Sequence, residues 1–423
     1  TFSYVPVKEL GEGKYSIKAE IKDIYGNLGS KEWSFNVGAR TKNLYYGQLH
    51  SHTNLSDGTG SIDDAYTYAK NVAGVDFLAV TDHSNWFDND SKASLADGSA
   101  SEEWKLGQST ADKYNSDGDF VSIYGYEMTW SGSTGGYGHM NTYNTPGFET
   151  RTNSAMNLQA YYAALKTQPQ SLSQFNHPGK TFGDFEDFAH YDKELGKLIT
   201  LIEVGNGEGA VGSSGYFPSY EYYTRALDKG WQVAPTNGQD NHKGKWGDSN
   251  TTRTVIEAPE LTRESLYEAM RDRRVYSTED DNLRISYEVN GNTMGSILDM
   301  TDVLEFNINI EDIDNGDTIK NISIIGDGGK VVKSIDSVNS ESKNWTFTLE
   351  TPESSYYYVQ VEQTDNQKAV TAPVWVGEKE KVGLSSVEVN SEVILTNEKF
   401  DVEATVYNNE LTTIENVKVE YFL

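Results

Sequence analysis

Apolar and polar positions alternate with two different periods along this chain, and the change of period divides it. Between residues 43 and 281, short apolar runs recur at intervals that leave room for a helix between them. The predicted strands are Leu44–Leu49, Phe77–Val80, Phe120–Glu127, Leu172–Asn176, Leu198–Val204 and Val233–Asn237. Helical spacing connects them. Ile62, Ala65, Tyr66, Ala69 and Val72 share one helical face, Ser61 and Asp64 have the spacing of a capping box, and Gly74 is placed to end the helix. Further helices are predicted over 158–166, 220–229 and 263–272, the last with Thr262 as cap and Leu261 and Leu266 placed as a staple. Alternating strands and helices are the mark of an α/β domain.

On either side the period is two. Tyr15–Ile21 and Glu32–Val37 alternate as strands around an Asp-Ile-Tyr-Gly-Asn turn. From 282 to 377 the helical pattern disappears, and Leu304–Ile310, Ile319–Ile325, Trp345–Leu349 and Tyr356–Glu362 are separated by Asn, Asp and Gly turns, which predicts a β-sandwich. A further strand-rich segment runs from 379 to 423. Four units are therefore expected: 1–39, 43–281, 282–377 and 379–423. The first and last are too short for a whole sandwich. Since the chain opens and closes inside β-rich segments, it reads as part of a longer protein.

Where the apolar strands end, ligand-type side chains begin. His50 and His52 follow the first strand two residues apart, so both imidazoles project to one face. Asp57 lies in the Ser-Asp-Gly loop, Asp82 and His83 end the second strand, and Glu127 ends "FVSIYGYE". His139, His177, Asp240 and His242 follow in "GHMN", "FNHPG" and "GQDNH". Of the seven histidines only His190 falls outside such a position, and it reads as an exposed helix or loop residue. Taken singly, a His-x-His pair is often just solvated and a strand-end Glu is ordinary. In order, with a strand ending at each place a ligand is needed, the set points to a metal site. Cysteine is absent, so thiolate ligands, disulfides and a thiol nucleophile are excluded. An imidazole–carboxylate mixture suits Zn²⁺, Mn²⁺ or Fe²⁺ better than Ca²⁺ or Mg²⁺.

The order of HSH, SDG and TDH closing an apolar strand, then GHMN and DNH, resembles the PHP (polymerase and histidinol phosphatase) superfamily of metal-dependent phosphoesterases, in its carbaryl-hydrolase-like branch. The likeness spans roughly 43–281. It implies a distorted (β/α)7 barrel with two or three divalent cations at its rim. In that family's pattern His50, His52, Glu127 and Asp240 would hold one ion. Glu127, as a bridge, with His139 and His177 would hold a second, and Asp57, His83 and His242 a third. The family often has His where this chain has Asp57, which puts occupancy of the third position in doubt. Asp82 is expected to orient a ligand imidazole. "AVTAPVWVG" resembles the closing strand of the β domain that follows the catalytic part in this branch, and 1–39 and 379–423 resemble pieces of immunoglobulin-like modules of extracellular bacterial proteins.

The expected activity is hydrolysis of a phosphodiester or phosphomonoester by a metal-activated hydroxide, on a phosphorylated small molecule or on a glycan or glycolipid. Glu127, Asp240 and Lys243 are the expected catalytic residues, Lys243 as a candidate general acid. Lys243 and Arg253 are candidates to grip phosphate and Trp130 to stack on a ring; for Lys243 a solvated-loop role is equally open. A carbamate or carboxylic ester is the alternative substrate, since the ligands alone do not separate the two centres. A surface binding module with structural metals is the reading from another class. The net charge of −29, from 64 acidic and 35 basic residues, argues against duplex nucleic acid or an anionic membrane surface. It leaves phosphorylated substrates open, because bound cations reverse the local potential. No run is long and apolar enough for a membrane helix, and the β modules suggest a secreted or surface-attached protein.

Overall fold

In this computed structural model, residues 42–377 are described with their side chains, and beyond them the backbones of 13–22, 28–37, 382–389 and 402–408. These last form two antiparallel pairs, 13–22 with 28–37 and 382–389 with 402–408. The immunoglobulin-like character expected for 1–39 and 379–423 otherwise lies outside the described residues.

Strands β1 (Asn43–Gln48), β2 (Phe77–Val80), β3 (Val121–Trp130), β4 (Gly138–Tyr143), β5 (Leu172–Asn176), β6 (Ile199–Asn206), β7 (Ala234–Gly238), β8 (Arg253–Ala258) and β9 (Val275–Thr278) form most of one curved sheet, in the order β7-β6-β5-β4-β3-β2-β1-β8-β9. Pairs β1/β2, β2/β3, β5/β6 and β6/β7 are parallel. Strand β4 runs antiparallel to both β3 and β5, and β8 antiparallel to β1. β2, β3 and β5 to β9 are buried along their whole length, as expected for strands covered on both faces.

Among the described residues the ladders do not close the expected distorted (β/α)7 barrel. The path is open, and β7 meets β8 through a side chain instead of a backbone ladder. Asn237 N–H donates to Thr254 Oγ1 (3.0 Å), and that hydroxyl donates back to Asn237 O (3.1 Å). Antiparallel β4 and β8 break the parallel repeat that a regular βα barrel needs.

Helices α1 (Ile62–Tyr68), α2 (Glu102–Tyr114), α3 (Leu158–Leu165), α4 (Tyr220–Asp228) and α5 (Arg263–Arg271) cover the sheet. The Ser61–Asp64 capping box forms, and Thr262 accepts from Ser265 N–H at the start of α5. After Tyr68 the helix widens into a π-turn over Ala69–Ala73, which ends at Gly74 with φ +66°. The wider turn rotates the face, so Val72, inward by simple periodicity, is 62% exposed.

The chain continues through β10 (Arg284–Val289), β11 (Val303–Glu311), β12 (Ile319–Gly326), β13 (Lys330–Ile335), β14 (Ser342–Glu350), β15 (Tyr356–Gln363) and β16 (Lys368–Thr371). Strands β10, β11 and β14 make a separate antiparallel sheet, while β16, β15, β12 and β13 extend the main sheet beyond β9. The join is a ladder in which Tyr276, Ser277 and Thr278 pair with Thr371, Val370 and Ala369. One apolar core runs across it, taking Leu49 and Val255 from one side and Phe306, Ile308 and Val359 from the other.

Candidate metal centre

Glu127 lies near the middle of the centre. It sits in β3, where the chain leaves the parallel part of the sheet, and its backbone N–H donates to Asp82 O (3.0 Å), which brings the end of β2 alongside. The carboxylate is 1% exposed. His139 is carried by β4, opposite Thr129. His50 and His52 follow β1, where Ser51 bridges to Asn241, so the ends of β1 and β7 meet. His177 and Asp240 follow β5 and β7 in left-handed backbone conformations, φ +26° and +49°. Such strain in non-glycine residues persists only where the surroundings hold it.

All nine predicted ligands come together. His52 Nε2 lies 2.9 Å from Asp240 Oδ1 and 3.6 Å from Glu127 Oε2, and His50 Nε2 lies 3.3 and 3.4 Å from Asp240 Oδ1 and Glu127 Oε1. His139 Nδ1 and His177 Nε2 approach Glu127 Oε1 at 3.2 and 3.4 Å. His242 Nε2 and His83 Nε2 approach Asp57 Oδ1 at 3.2 and 3.6 Å. His52 belongs to two of these groups: its ring stacks on His242 at 4.1 Å and tilts against His83 at 4.5 Å.

These residues fit divalent cations. Ligand atoms about 2.0–2.1 Å from a shared tetrahedral ion lie about 3.3 Å apart, the separation found here. Glu127 Oε2 and Asp240 Oδ1 are buried and make no hydrogen bond, although imidazole nitrogens stand 2.7 and 2.9 Å away. Buried acceptors beside nitrogens that do not donate to them leave a place for a cation between.

The charges are tightly coupled. Burial and the His83 imidazole push His52 down to about 3. The hydrogen bond from His242 brings Asp57 down to about 2. Burial opposes the charging of His242, yet Asp57 and Asp240 raise it to about 9. Burial also works against Glu127, but His83, His50 and His139 outweigh it and hold this carboxyl well below the usual range. The acids are therefore anionic at neutral pH, as ligands must be.

Other expected residues lie elsewhere. Asp82 touches no imidazole: it accepts from Thr53 N–H (2.7 Å), Thr53 Oγ1 (2.7 Å) and Ser56 Oγ (2.6 Å), and only Ser56 approaches His52 Nδ1, at 3.3 Å. The Lys243 side chain is 78% exposed and pairs with Glu208 at 2.9 Å. Arg253 is buried and donates to Asn250 O and Thr252 O. Trp130 is buried, donates to Met156 O (2.8 Å), and has its ring against Tyr137 and Tyr161, so it offers no free face.

Four residues went unread in the sequence. Glu203, fully buried in β6, accepts from His50 Nδ1 (2.8 Å) and from the His177 backbone (2.8 Å). A carboxylate inside the apolar run "LITLIEV" is the signal that marks it. Asn176 donates to Glu127 Oε1 (2.9 Å). Glu208 accepts from the backbone of His242 and Lys243 (2.9 and 3.0 Å) and so fixes the last ligand loop. Phe182, 44% exposed, holds its ring 4.6 Å from that of His177 and 5.0 Å from that of His139.

No family model matches the chain. An uncharacterized protein of Chlamydia pneumoniae is 21% identical over 372 residues, covering 79% of this chain and 57% of its own length. The chain thus spans little more than half of that curated relative. Among solved structures, a two-domain protein of Bacteroides vulgatus described as containing a predicted PHP-like metal-dependent phosphoesterase matches 79% of this chain and 96% of its own, with a TM-score of 0.43 and 16% identity. An engineered protein matches 78% of this chain and 94% of its own, with a TM-score of 0.21 and 12% identity.

Proposed function

We propose that this protein is a metal-dependent hydrolase of phosphate esters, of the PHP type that its motifs resemble. One observation carries the reading: nine His, Asp and Glu side chains, Glu127 among them, gather in one centre, with buried carboxylate oxygens that no protein donor satisfies. That is more ligand capacity than a structural staple needs. His50, His52, Asp240 and Glu127 would hold one cation, Glu127, His139 and His177 a second, and Asp57, His83 and His242 a third, drawn from Mn²⁺, Zn²⁺ or Fe²⁺. Bound there, such ions supply a nucleophile from water at neutral pH and neutralise charge on the reacting oxygens.

The chain's own residues prepare that chemistry. Glu203 fixes the His50 ring so that Nε2 faces Asp240 and Glu127. His242 turns Nδ1 to Asp240 O at 2.7 Å, which leaves Nε2 toward Asp57. Phe182 gives the centre an apolar wall on the His139–His177 side. The proposed substrate is a phosphodiester or phosphomonoester, on a small molecule or on a glycan or glycolipid outside the cell.

A carbamate or carboxylic ester is the second reading. The pairing of Lys243 with Glu208 and the enclosure of Arg253 favour it, since both withdraw charge from a phosphate. Metal content by mass spectrometry, with turnover of bis-p-nitrophenyl phosphate, p-nitrophenyl phosphate and naphthyl carbamate before and after chelation, tests the proposal. The expected result is two or three equivalents of metal and phosphatase activity that chelation removes, add-back restores and Glu127→Ala abolishes. Carbamate turnover alone would select the second reading. Stoichiometric metal without turnover would make the protein a binding module, and absence of metal would overturn the site.

A further inference from the structure

A second group of acids lies where the sandwich strands leave the main sheet, and it shares no residue with the centre above. Asp280 follows β9, Asp312 follows β11, Asp317 precedes β12, and one carboxylate oxygen of each lies within 4.8 Å of the others. Asp280 and Asp312 are each only 4% exposed. Each spends Oδ1 on its own turn: Asp280 accepts from Asn282 and Leu283 N–H (both 2.7 Å), and Asp312 from Asp314 N–H (2.8 Å). Their Oδ2 atoms turn inward. Among the described residues no Lys or Arg pairs with Asp280, Asp312, Asp314 or Asp317.

What faces these oxygens is the amide of Gln363, at the end of β15 and 1% exposed. Its Nε2 donates to Asp312 Oδ2 at 2.7 Å and reaches toward Asp280 Oδ2 at 3.5 Å. Its Oε1 is buried with no partner. Asn282 repeats the pattern at the margin: Nδ2 donates to Asp281 and Asp314 (both 3.0 Å), while Oδ1 is buried and unpartnered. Two amides thus turn their NH2 groups to acids and strand their oxygens. Half a turn of an amide exchanges N for O at nearly the same position. With a cation between the carboxylates, the same two side chains present oxygen.

We infer that Asp280, Asp312, Asp317 and Gln363 form a binding site for a hard divalent cation, Ca²⁺ by its ligand chemistry, clamping the sandwich strands to the main sheet. Every side-chain ligand is oxygen, which Ca²⁺ takes in sets of about six to eight at about 2.3–2.6 Å. Mg²⁺ usually keeps several waters and is seldom caged by protein alone, whereas Ca²⁺ accepts many protein oxygens; the burial of Asp280, Asp312 and Gln363 therefore suits Ca²⁺. Buried carboxylates without a direct ion-pair partner are costly, and a cation offsets that cost. Residues 280–282, the loop 312–317 and the end of β15 then share one ion.

The test is Ca²⁺ titration of the full, chelator-treated chain by calorimetry, with thermal unfolding in Ca²⁺, Mg²⁺ or EGTA. The expected result is one Ca²⁺ bound, with a dissociation constant in the range of about 10⁻⁶–10⁻³ M and a raised Tm that Mg²⁺ does not reproduce. Asp312→Asn and Asp317→Asn, near-isosteric and checked for folding by circular dichroism, should each weaken binding at least tenfold, while Glu127→Ala keeps it. Absence of a Ca²⁺ effect on the unmutated chain would overturn the site. So would an effect that survives both Asn variants, or one that Glu127→Ala removes, which would place the ion in the metal centre.

Discussion

His50 Nδ1 lies 2.8 Å from Glu203 Oε1, with both side chains fully buried, and Glu203 Oε2 holds the backbone N–H of His177 at the same distance. One carboxylate therefore steadies ligands of two proposed cation positions. With Nδ1–H committed to Glu203, the lone pair of His50 is on Nε2, facing Asp240 and Glu127. Glu203→Gln puts an NH2 group against one of these donors. Since partners of this kind typically contribute 10–100-fold to metal affinity, the variant is expected to lose about that factor. Metal retained during dialysis against a graded chelator checks it; unchanged retention would show that Glu203 does not set the ligand geometry.

Phe182 is the aromatic residue whose ring contacts the His139–His177 pair and is also open to solvent. An aromatic contact of this kind contributes about 0.5–1.5 kcal/mol, or about 2- to 12-fold. Phe182→Ala should raise KM by that factor for p-nitrophenyl or naphthyl substrates, with kcat nearly kept and methyl esters unaffected. Equal loss on methyl and aryl esters would mean that the ring supports His177 and not the substrate.

The ligand histidines other than His139 were legible because they follow apolar strands, and both features are local; His139, inside β4, was read from its Gly-His-Met-Asn motif. The second layer was not, because it depends on which strands become neighbours. Glu203 meets His50 only after β6 and β1 curve toward one another, and the Asp82 carboxylate turned out to serve Thr53 and Ser56. Helix α2 was missed because its inward face is Trp104, Gly107, Thr110 and Ala111, a weak apolar signal. A Cβ on Gly107 would fall 2.0 Å from the Tyr124 ring, so close packing, not hydrophobicity, selects that face. Strand β4 was hidden by "GHMNTY", whose polar His139, Asn141 and Thr142 are taken up by the site and by buried hydrogen bonds. Arg253 and Trp130 sit at strand ends near the centre yet spend their donors on backbone carbonyls, which no sequence pattern announces.

The cap of α5 gives a local check on the fold. Thr262 Oγ1 accepts from Ser265 N–H at 3.1 Å, and Leu266 and Leu261 on either side of the turn are buried. Thr262→Ala should lower stability by about 1 kcal/mol in denaturant unfolding and leave metal content unchanged. No loss would mean that water or another donor replaces the cap.

Asp76 carries a pH dependence whose sign can be worked out. Its Oδ2 accepts from Tyr46 N–H at 2.7 Å, and burial raises its carboxyl above the ordinary value of 3.8 despite that bond. A folded-state value above the unfolded one means that the native protein binds more protons in the interval between them. This group's contribution to stability is then greatest below 3.8 and is lost as pH rises through the folded value. Asp76→Asn keeps an oxygen for Tyr46 N–H and removes the charge. The variant should therefore be at least as stable as the parent at pH 7.5, with its relative advantage disappearing as pH falls toward 4. Thermal unfolding of both proteins across that range checks it. A variant less stable at pH 7.5, with the difference growing as pH rises, would mean that the anion is stabilised by a positive neighbour and that burial does not govern the group.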